Sequence, residues 1–358
     1  MAIPFEQSIH AVQRMMGYDR VMLSLSFSSG RRSRALLLAG AVILGACGCG
    51  SEDDRLGPGG TGLSIATSVG PGSGSGSGSG GSTGTSDVSA GIGGSDVGPK
   101  PPEKFVPTPT NNCPDFKSGK ISLDFGGEEP RDAEVWTSDD PMATGGPLVI
   151  VWHSFDGTPL DAIDILGQDV IDAVKAQGGA VVAPYPDANA GFSVWHAILG
   201  QFADDGDMRF ADEIVACAIA KKEISTRRIH SVGFGFGAMQ TVQLAVWRSG
   251  YMASIVAHST SLAGNPMEQD PDNLYAAMVL HGGPQDANMF QFNVDSPKYV
   301  QMLRGEVESA ISGQHFAVLC AHDAGHIVAE GARNSAYQFL IAHPYATDAS
   351  PYEGGLPS

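Results

Sequence analysis

A glycine-rich stretch in the second half of the chain constrains the fold more than any other segment. Residues 228–240 read Arg-Ile-His-Ser-Val-Gly-Phe-Gly-Phe-Gly-Ala-Met-Gln. The apolar run Ile229–Val232 predicts a buried strand, and the glycines in 233–237 predict a sharp turn. Met239 and Val242 then mark the apolar face of a helix. A strand, a tight turn and a helix in this order are typical of α/β proteins with parallel strands.

The middle residue of this turn is Gly235. The pattern Gly-x-Ser-x-Gly between a strand and a helix forms a nucleophile elbow, and here glycine takes the place of the serine. The same stretch also fits the dinucleotide-binding pattern Gly-x-Gly-x-x-Gly/Ala. That pattern requires an acidic residue about twenty positions later, and residues 255–259 contain none. The turn also follows the third predicted buried strand instead of the first, so the elbow interpretation is favoured.

The start of the chain has the layout of an export signal. Basic residues at 31–34 precede an apolar run, 35–46, that is too short to span a bilayer. The run ends in Leu-Gly-Ala-Cys47, which resembles a bacterial lipobox with Cys47 as the lipid-modified mature N-terminus. We therefore expect a signal peptide over residues 1–46, with translation starting at Met22. The alternative is a plain secretory signal with an incidental cysteine.

Residues 47–112 are rich in glycine, serine, threonine and proline. Such a segment cannot bury enough apolar surface to offset its chain entropy, so it predicts a flexible tether. The whole chain carries 21 Lys and Arg against 39 Asp and Glu, a formal net charge of −18. This balance argues against nucleic acid or an anionic membrane surface as a partner. The expected membrane contact is the lipid anchor at Cys47, and Gly48 after it favours an outer membrane over an inner one.

The remaining chain predicts one domain over residues 113–345, followed by a flexible tail over 346–358. Apolar runs alternate with segments of helical periodicity, which implies a mostly parallel sheet with helices on both faces. The predicted strands are 121–125, 133–137, 148–152, 179–183, 229–232, 253–257, 277–280 and 315–319. The last two predicted helices cover residues 298–311 and 327–341.

In a parallel sheet of this kind, functional groups gather at the carboxyl ends of the strands. Those ends carry Ser154, Gly235, Asp286 and His326. The last three stand in the chain order nucleophile position, acid and histidine, which is the order of the α/β-hydrolase fold. For Asp286 a simple turn and for His326 a helix cap are the competing interpretations.

The domain resembles the α/β-hydrolase esterases grouped with polyhydroxybutyrate depolymerases and feruloyl esterases. The matching pieces are Leu-Val-Ile-Val-Trp-His at 148–153, Gly-Ala-Val-Val-Ala-Pro-Tyr-Pro at 179–186, the stretch 227–239, Leu-His-Gly-Gly-Pro-Gln-Asp at 280–286, and Gly-His at 325–326.

The resemblance implies a role for each matched position. It makes Gly235 the nucleophile position, Asp286 the acid and His326 the base of a catalytic triad. The oxyanion hole is expected from backbone N–H groups; its candidates are Ser154, Phe155 and Phe236.

Two positions depart from that family. The family has His-Gly after the first buried strand, where this chain has histidine and Ser154. Gly235 has no side chain, so no acyl intermediate forms on it. We therefore expect an envelope-tethered ester hydrolase homologue with impaired hydrolysis and a cleft for a small or polyester-like ester. The alternatives are an active esterase that uses another strand-end serine, Ser154 or Ser259, and, more remotely, a dinucleotide-binding enzyme.

The exported domain contains Cys113, Cys217 and Cys320. An oxidising compartment favours pairing, and Cys113 with Cys217 is the preferred disulfide among three possible pairs. No cofactor and no metal are expected, although the run from His322 to His326 raises zinc as a minor alternative. Three loop aromatics, Tyr185, Trp195 and His196, fit either a substrate cleft or a cover for the sheet edge.

Overall fold

A computed structural model describes residues 99–352 except 128, 140–143, 156, 188–194, 197–205, 263, 265, 287–293 and 348–349. The predicted signal peptide, the start at Met22, the lipid-modified Cys47 and most of the linker lie outside these residues. In the part of the chain that is described, no helix is both long and apolar enough to cross a membrane.

Eight strands form a single sheet. They are β1 (Gly119–Leu123), β2 (Arg131–Thr137), β3 (Leu148–Trp152), β4 (Ala180–Pro184), β5 (Ile229–Phe234), β6 (Ser254–His258), β7 (Ala276–His281) and β8 (Ala317–Ala321). Their order across the sheet is β1-β2-β4-β3-β5-β6-β7-β8. The hairpin β1–β2 is antiparallel and pairs antiparallel with β4, whereas every pairing from β4 to β8 is parallel. The prediction of a mostly parallel sheet is confirmed.

Within the described residues, six helices cover the sheet. They are α1 (Ala162–Leu166), α2 (Gln168–Ala176), α3 (Gly206–Lys222), α4 (Phe236–Trp247), α5 (Ser296–Leu303) and α6 (Arg333–Ala342). The core has two apolar clusters, and alternate residues of β3 belong to each. Ile150 packs in the cluster that contains residues of α3, α4 and α5, and Val151 packs in the cluster that contains residues of α1, α2 and α6. The strand is apolar throughout because both of its faces are covered.

Two helices have different limits from those predicted. The predicted helix over 298–311 is only α5, which ends at Leu303. Gly305 beyond it has a left-handed φ of 73°, and the Arg304 guanidinium donates to the Ala317 carbonyl, so the chain turns back to the sheet here. The predicted helix over 327–341 begins at Arg333. The residues before it form the loop after β8 and a short 3₁₀ turn.

The end of the predicted linker contacts the domain. The Thr110 backbone N–H and hydroxyl both donate to the buried Glu213 carboxylate, at 2.9 and 2.8 Å. Cys113 and Cys217, the pair favoured from sequence, form a disulfide that ties this entry segment to α3. Both contacts lie on the same helix, so α3 holds the start of the domain.

Removal of this disulfide should destabilise the domain. It closes a loop between cysteines 104 positions apart, which restricts the unfolded chain. We expect the double variant Cys113→Ala, Cys217→Ala to lose about 2–4 kcal/mol of unfolding free energy. Urea unfolding of both proteins, with and without reducing agent, measures the loss. Equal urea midpoints without reductant would contradict a stabilising role for this bond.

Candidate active site

The turn between β5 and α4 places residue 235 in an unusual backbone conformation. Gly235 has φ 56° and ψ −117°, a region that residues with a Cβ rarely adopt. Its N–H donates to the His258 carbonyl at 3.0 Å, which joins the turn to the end of the neighbouring strand β6. A side chain here would be strained but directed away from the sheet, as at a nucleophile elbow.

The two flanking glycines are required by close packing. A Cβ on Gly233 would lie 2.1 Å from the Gly237 carbonyl oxygen, and a Cβ on Gly237 would lie 1.9 Å from the Trp152 carbonyl oxygen. Both approaches are too short for any larger residue, so α4 starts directly against the end of β3. Packing of the turn therefore accounts for the glycine spacing that also matched the dinucleotide pattern.

Asp286 and His326 meet across two loops at this edge of the sheet. Asp286 ends the 3₁₀ turn after β7, and His326 lies in the loop after β8. Asp286 Oδ1 is 2.8 Å from His326 Nδ1. The loops touch at glycines: the Gly325 N–H donates to the Gly282 carbonyl at 2.9 Å, and a Cβ on Gly282 would lie 1.9 Å from the Gly325 oxygen. Glycine at 282 thus permits the approach that brings the acid to the base.

The carboxyl group of Asp286 is completely buried and held in its charged form. Burial opposes ionisation, but the neighbouring polar groups of His281, His326, Gly282 and Ser259 outweigh it, and the pKa of Asp286 falls well below its usual value. The Gly282 N–H donates to Oδ2 at 2.8 Å, and His281 Nδ1 lies 3.3 Å from the same oxygen. The aspartate is therefore a fixed negative charge beside the imidazole.

This charge orients the His326 ring. An ionised carboxylate favours the proton on Nδ1, so Nε2 is left as the proton acceptor. The ring also packs on Phe234, with 4.7 Å between centroids. Nε2 lies 3.0 Å from the position of a Cβ on residue 235, is buried, and makes no hydrogen bond to the described residues. A general base is thus aimed at the elbow, as in a Ser-His-Asp triad, but Gly235 has no hydroxyl for it to deprotonate.

The loop after β3 lies on the other side of residue 235. The buried Trp195 supports this loop, because its indole N–H donates to the His153 carbonyl at 2.9 Å. Burial lowers the pKa of His153, which keeps its imidazole neutral. The rings of Phe155 and Phe236 contact each other at 5.9 Å between centroids. The oxyanion-hole candidates therefore flank residue 235, and Phe236 stands at the N-terminus of α4, where the helix dipole favours negative charge.

The three loop aromatics named from sequence, Tyr185, Trp195 and His196, make contacts that support the fold. Trp195 is fully buried, so it supports the loop instead of lining a cleft. The Tyr185 ring lies under Lys120, and its hydroxyl is 3.4 Å from Glu134, which places it over the antiparallel edge of the sheet. The backbone N–H of His196 donates to the buried Asp207.

Among the described residues, one group has potential metal ligands close enough to share an ion, and it consists of Cys113, Glu213 and Cys217. The disulfide uses both of its sulfur atoms. The run from His322 to His326, which raised zinc from sequence, is not part of any such group within these residues.

Two contacts at the site were not predicted. His281 is a second histidine beside Asp286, and its place at the end of β7 was the available signal. Phe234 packs on the imidazole, although the sequence marked it only as a residue of the glycine turn. Both depend on the positions of neighbouring strand ends, which local sequence patterns do not specify.

The sequence matches no protein-family model and no curated protein. Solved structures match the fold. The structure named sOPH native aligns with a TM-score of 0.53 and 15% identity, over 71% of this chain and 94% of that chain. The structure named pOPH native aligns with a TM-score of 0.50 and 18% identity, over 69% and 98%. A ferulic acid esterase aligns with a TM-score of 0.44 and 17% identity, over 63% and 97%.

The sheet order, the elbow after β5 and the strand-end acid and histidine define the class of fold. The chain has the α/β-hydrolase fold, as the sequence predicted.

The charged state of Asp286 should make stability depend on pH. Because its pKa is lower in the folded protein than in the unfolded chain, its contribution is present above a pH of about 4 and is lost as the pH falls further. We expect Asp286→Asn to unfold at lower urea concentration than the natural chain at pH 6. The difference between the two midpoints should shrink between about pH 4 and pH 2. A difference that stays constant over this range would contradict a lowered pKa of Asp286.

Proposed function

We propose that this protein is an envelope-tethered homologue of the carboxylic ester hydrolases in which the elbow residue has lost the attacking hydroxyl. One observation carries the proposal: the buried acid–base pair Asp286–His326 is intact and points at the Cβ position of Gly235. An acid–base pair in this geometry serves acyl transfer, because the imidazole removes a proton from an attacking hydroxyl.

Glycine at residue 235 prevents the covalent step at that residue. Loss of the nucleophile from a serine hydrolase triad lowers kcat by about a millionfold, and substrate binding and the oxyanion hole then provide what catalysis is left. The natural chain is therefore impaired in hydrolysis at the elbow and still presents a site shaped for an ester carbonyl. The substrate class is a small carboxylic ester or a polyester-like chain of the hydroxyalkanoate or feruloyl type.

The structure indicates how the missing hydroxyl can be restored. A Cβ on residue 235 would lie 2.4 Å from Ser154 Oγ, so Gly235→Ser alone would collide with the Ser154 hydroxyl unless that side chain rotates away. The double variant Ser154→Gly, Gly235→Ser removes the collision and leaves the new side chain beside His326. We expect kcat/KM of this variant for p-nitrophenyl butyrate to exceed that of the hydroxyl-free variant Ser154→Gly, Gly235→Ala by about 100-fold or more, and we expect a fluorophosphonate probe to label residue 235.

The matched control is Ser154→Gly, Gly235→Ala, which has the same Cβ at residue 235 but no hydroxyl. It should be inactive and unlabelled at residue 235. Circular dichroism and urea unfolding identify variants that fold. If the variant Ser154→Gly, Gly235→Ser folds but neither reacts with the probe nor hydrolyses the ester, the assignment to ester hydrolysis is refuted.

The export signal supports a location outside the cytoplasm. The apolar run 35–46 and the lipobox-like Leu-Gly-Ala-Cys47 are the basis for a lipid anchor at Cys47, with the Gly/Ser-rich segment as a tether. A tether of about sixty residues gives the domain a mean reach on the order of 40 Å from the anchor. Gly48 supports sorting to an outer membrane.

The anchor can be tested in a bacterial host by metabolic labelling with a radioactive fatty acid. The natural chain should be labelled and should sediment with the outer-membrane fraction, whereas Cys47→Ser should lose the label and appear in the soluble extracytoplasmic fraction. The neighbouring change Cys49→Ser is the control, since it should leave labelling intact. Equal labelling of the natural chain and Cys47→Ser would contradict the lipobox interpretation.

A further inference from the structure

The hydroxyl of Ser154 occupies the space where the side chain of an elbow residue would start. A Cβ built on Gly235 would lie 2.4 Å from Ser154 Oγ and 3.0 Å from His326 Nε2. The hydroxyl and the base therefore lie within 3.0 Å of one point, although they come from loops at the ends of β3 and β8. Ser154 thus brings an oxygen atom to the place where the elbow has none.

Neither atom is engaged elsewhere in the described structure. His326 Nε2 is buried without a hydrogen-bond partner, and a buried unpaired ring nitrogen is costly. The side-chain hydroxyl of Ser154 makes no hydrogen bond to a described residue, and the residue is partly exposed. Rotation about the Cα–Cβ bond of Ser154 gives its oxygen other staggered positions. A serine nucleophile requires an accessible hydroxyl and an adjacent general base, and Ser154 and His326 supply these two groups.

Other serines near the strand ends do not fit. Ser259 is 1% exposed and lies on the acid side of the pair, where its side chain helps to lower the pKa of Asp286. Ser231 is buried within β5, where its hydroxyl donates to Thr241 and accepts from the Trp152 indole. Of these three serines, only Ser154 combines exposure with proximity to Nε2.

We propose that Ser154 is the catalytic nucleophile of this protein, activated by His326 across the side-chain space left empty by Gly235. This inference rests on the proposed ester hydrolase function and names the group that carries the activity of the natural chain. Glycine at residue 235 then leaves the space that the Ser154 hydroxyl occupies, because any larger residue would displace this hydroxyl.

The reaction is balanced without a cofactor. Ser154 Oγ attacks the ester carbonyl carbon as its proton passes to His326 Nε2, and the charged Asp286 stabilises the imidazolium. The tetrahedral intermediate collapses, the ester C–O bond breaks, and the alcohol leaves with the proton from Nε2. Water then attacks the acyl-serine and gives a proton to Nε2. Collapse of this second intermediate returns the proton to Ser154 Oγ and releases the carboxylic acid.

The direct test is covalent labelling of the natural mature chain with a fluorophosphonate probe, with the modified residue located by mass spectrometry. We expect the label on Ser154. Ser154→Ala should lose the label and reduce kcat/KM for p-nitrophenyl butyrate by about 100-fold or more. The matched control is Ser122→Ala, an exposed serine on the edge strand β1, which should keep both the label and the activity.

A thiol at the same position tests the coupling to the base without a substrate. In Ser154→Cys, a hydrogen bond to the imidazole should favour the thiolate and speed alkylation by iodoacetamide at pH 7. We expect alkylation of residue 154 to be about tenfold slower in the double variant Ser154→Cys, His326→Ala. A serine with only a structural role predicts equal alkylation rates in the two variants, and that result would overturn the proposal.

The labelling result separates this inference from the proposed function. If the natural chain is unlabelled, or labelled at a residue other than 154, Ser154 is not the nucleophile. If the variant Ser154→Gly, Gly235→Ser is nevertheless labelled at residue 235 and active, the ester hydrolase assignment stands while the role of Ser154 falls. If neither the natural chain nor this double variant reacts with the probe, the ester hydrolase assignment and the proposed role of Ser154 are both wrong.

Discussion

The packing of the glycine turn against the end of β3 is the constraint on which the site depends. Gly237 lies so close to the Trp152 carbonyl that no Cβ fits between them, and Gly233 is packed equally tightly against the turn itself. The parallel register of β3 and β5, in which Trp152 pairs with Gly233, sets the two strand ends level. As a result, the loop after β3 and the elbow after β5 share a single small volume, and a side chain at residue 235 would displace the Ser154 hydroxyl.

The acid and the base are held by a second backbone contact. Gly282 and Gly325 bring together the loops that follow β7 and β8, and Asp286 then accepts hydrogen bonds from both loops. Because its carboxyl group is buried among donors, its charge is maintained and the imidazole of His326 keeps one orientation. The position of the proton acceptor is therefore independent of residue 235. His326 Nε2 therefore points at the Cβ position of residue 235 although that residue has no side chain.

Residues 154 and 235, the two positions at which the sequence differs from the family it resembles, are neighbours in space. Sequence shows serine at residue 154 and glycine at residue 235 as separate substitutions, and the first suggested a crowded oxyanion loop. In the structure the Ser154 hydroxyl lies 2.4 Å from where a Cβ on residue 235 would be. A Cβ at residue 235 would therefore displace the Ser154 hydroxyl from its present position. The side-chain positions at residues 154 and 235 thus share one small volume at the strand ends.

Sequence determined the types of element, their alternation and the strand-end positions of Asp286 and His326, because apolar periodicity and glycine turns are local signals. It placed the limits of α5 and α6 less well, since the side chain of Arg304 and the loop carrying His326 set those limits through tertiary contacts. Only the tertiary structure decided which serine faces the base. The position of each serine depends on the register of parallel strands such as β3 and β5, which are far apart in the chain. A local sequence pattern contains no information about this register.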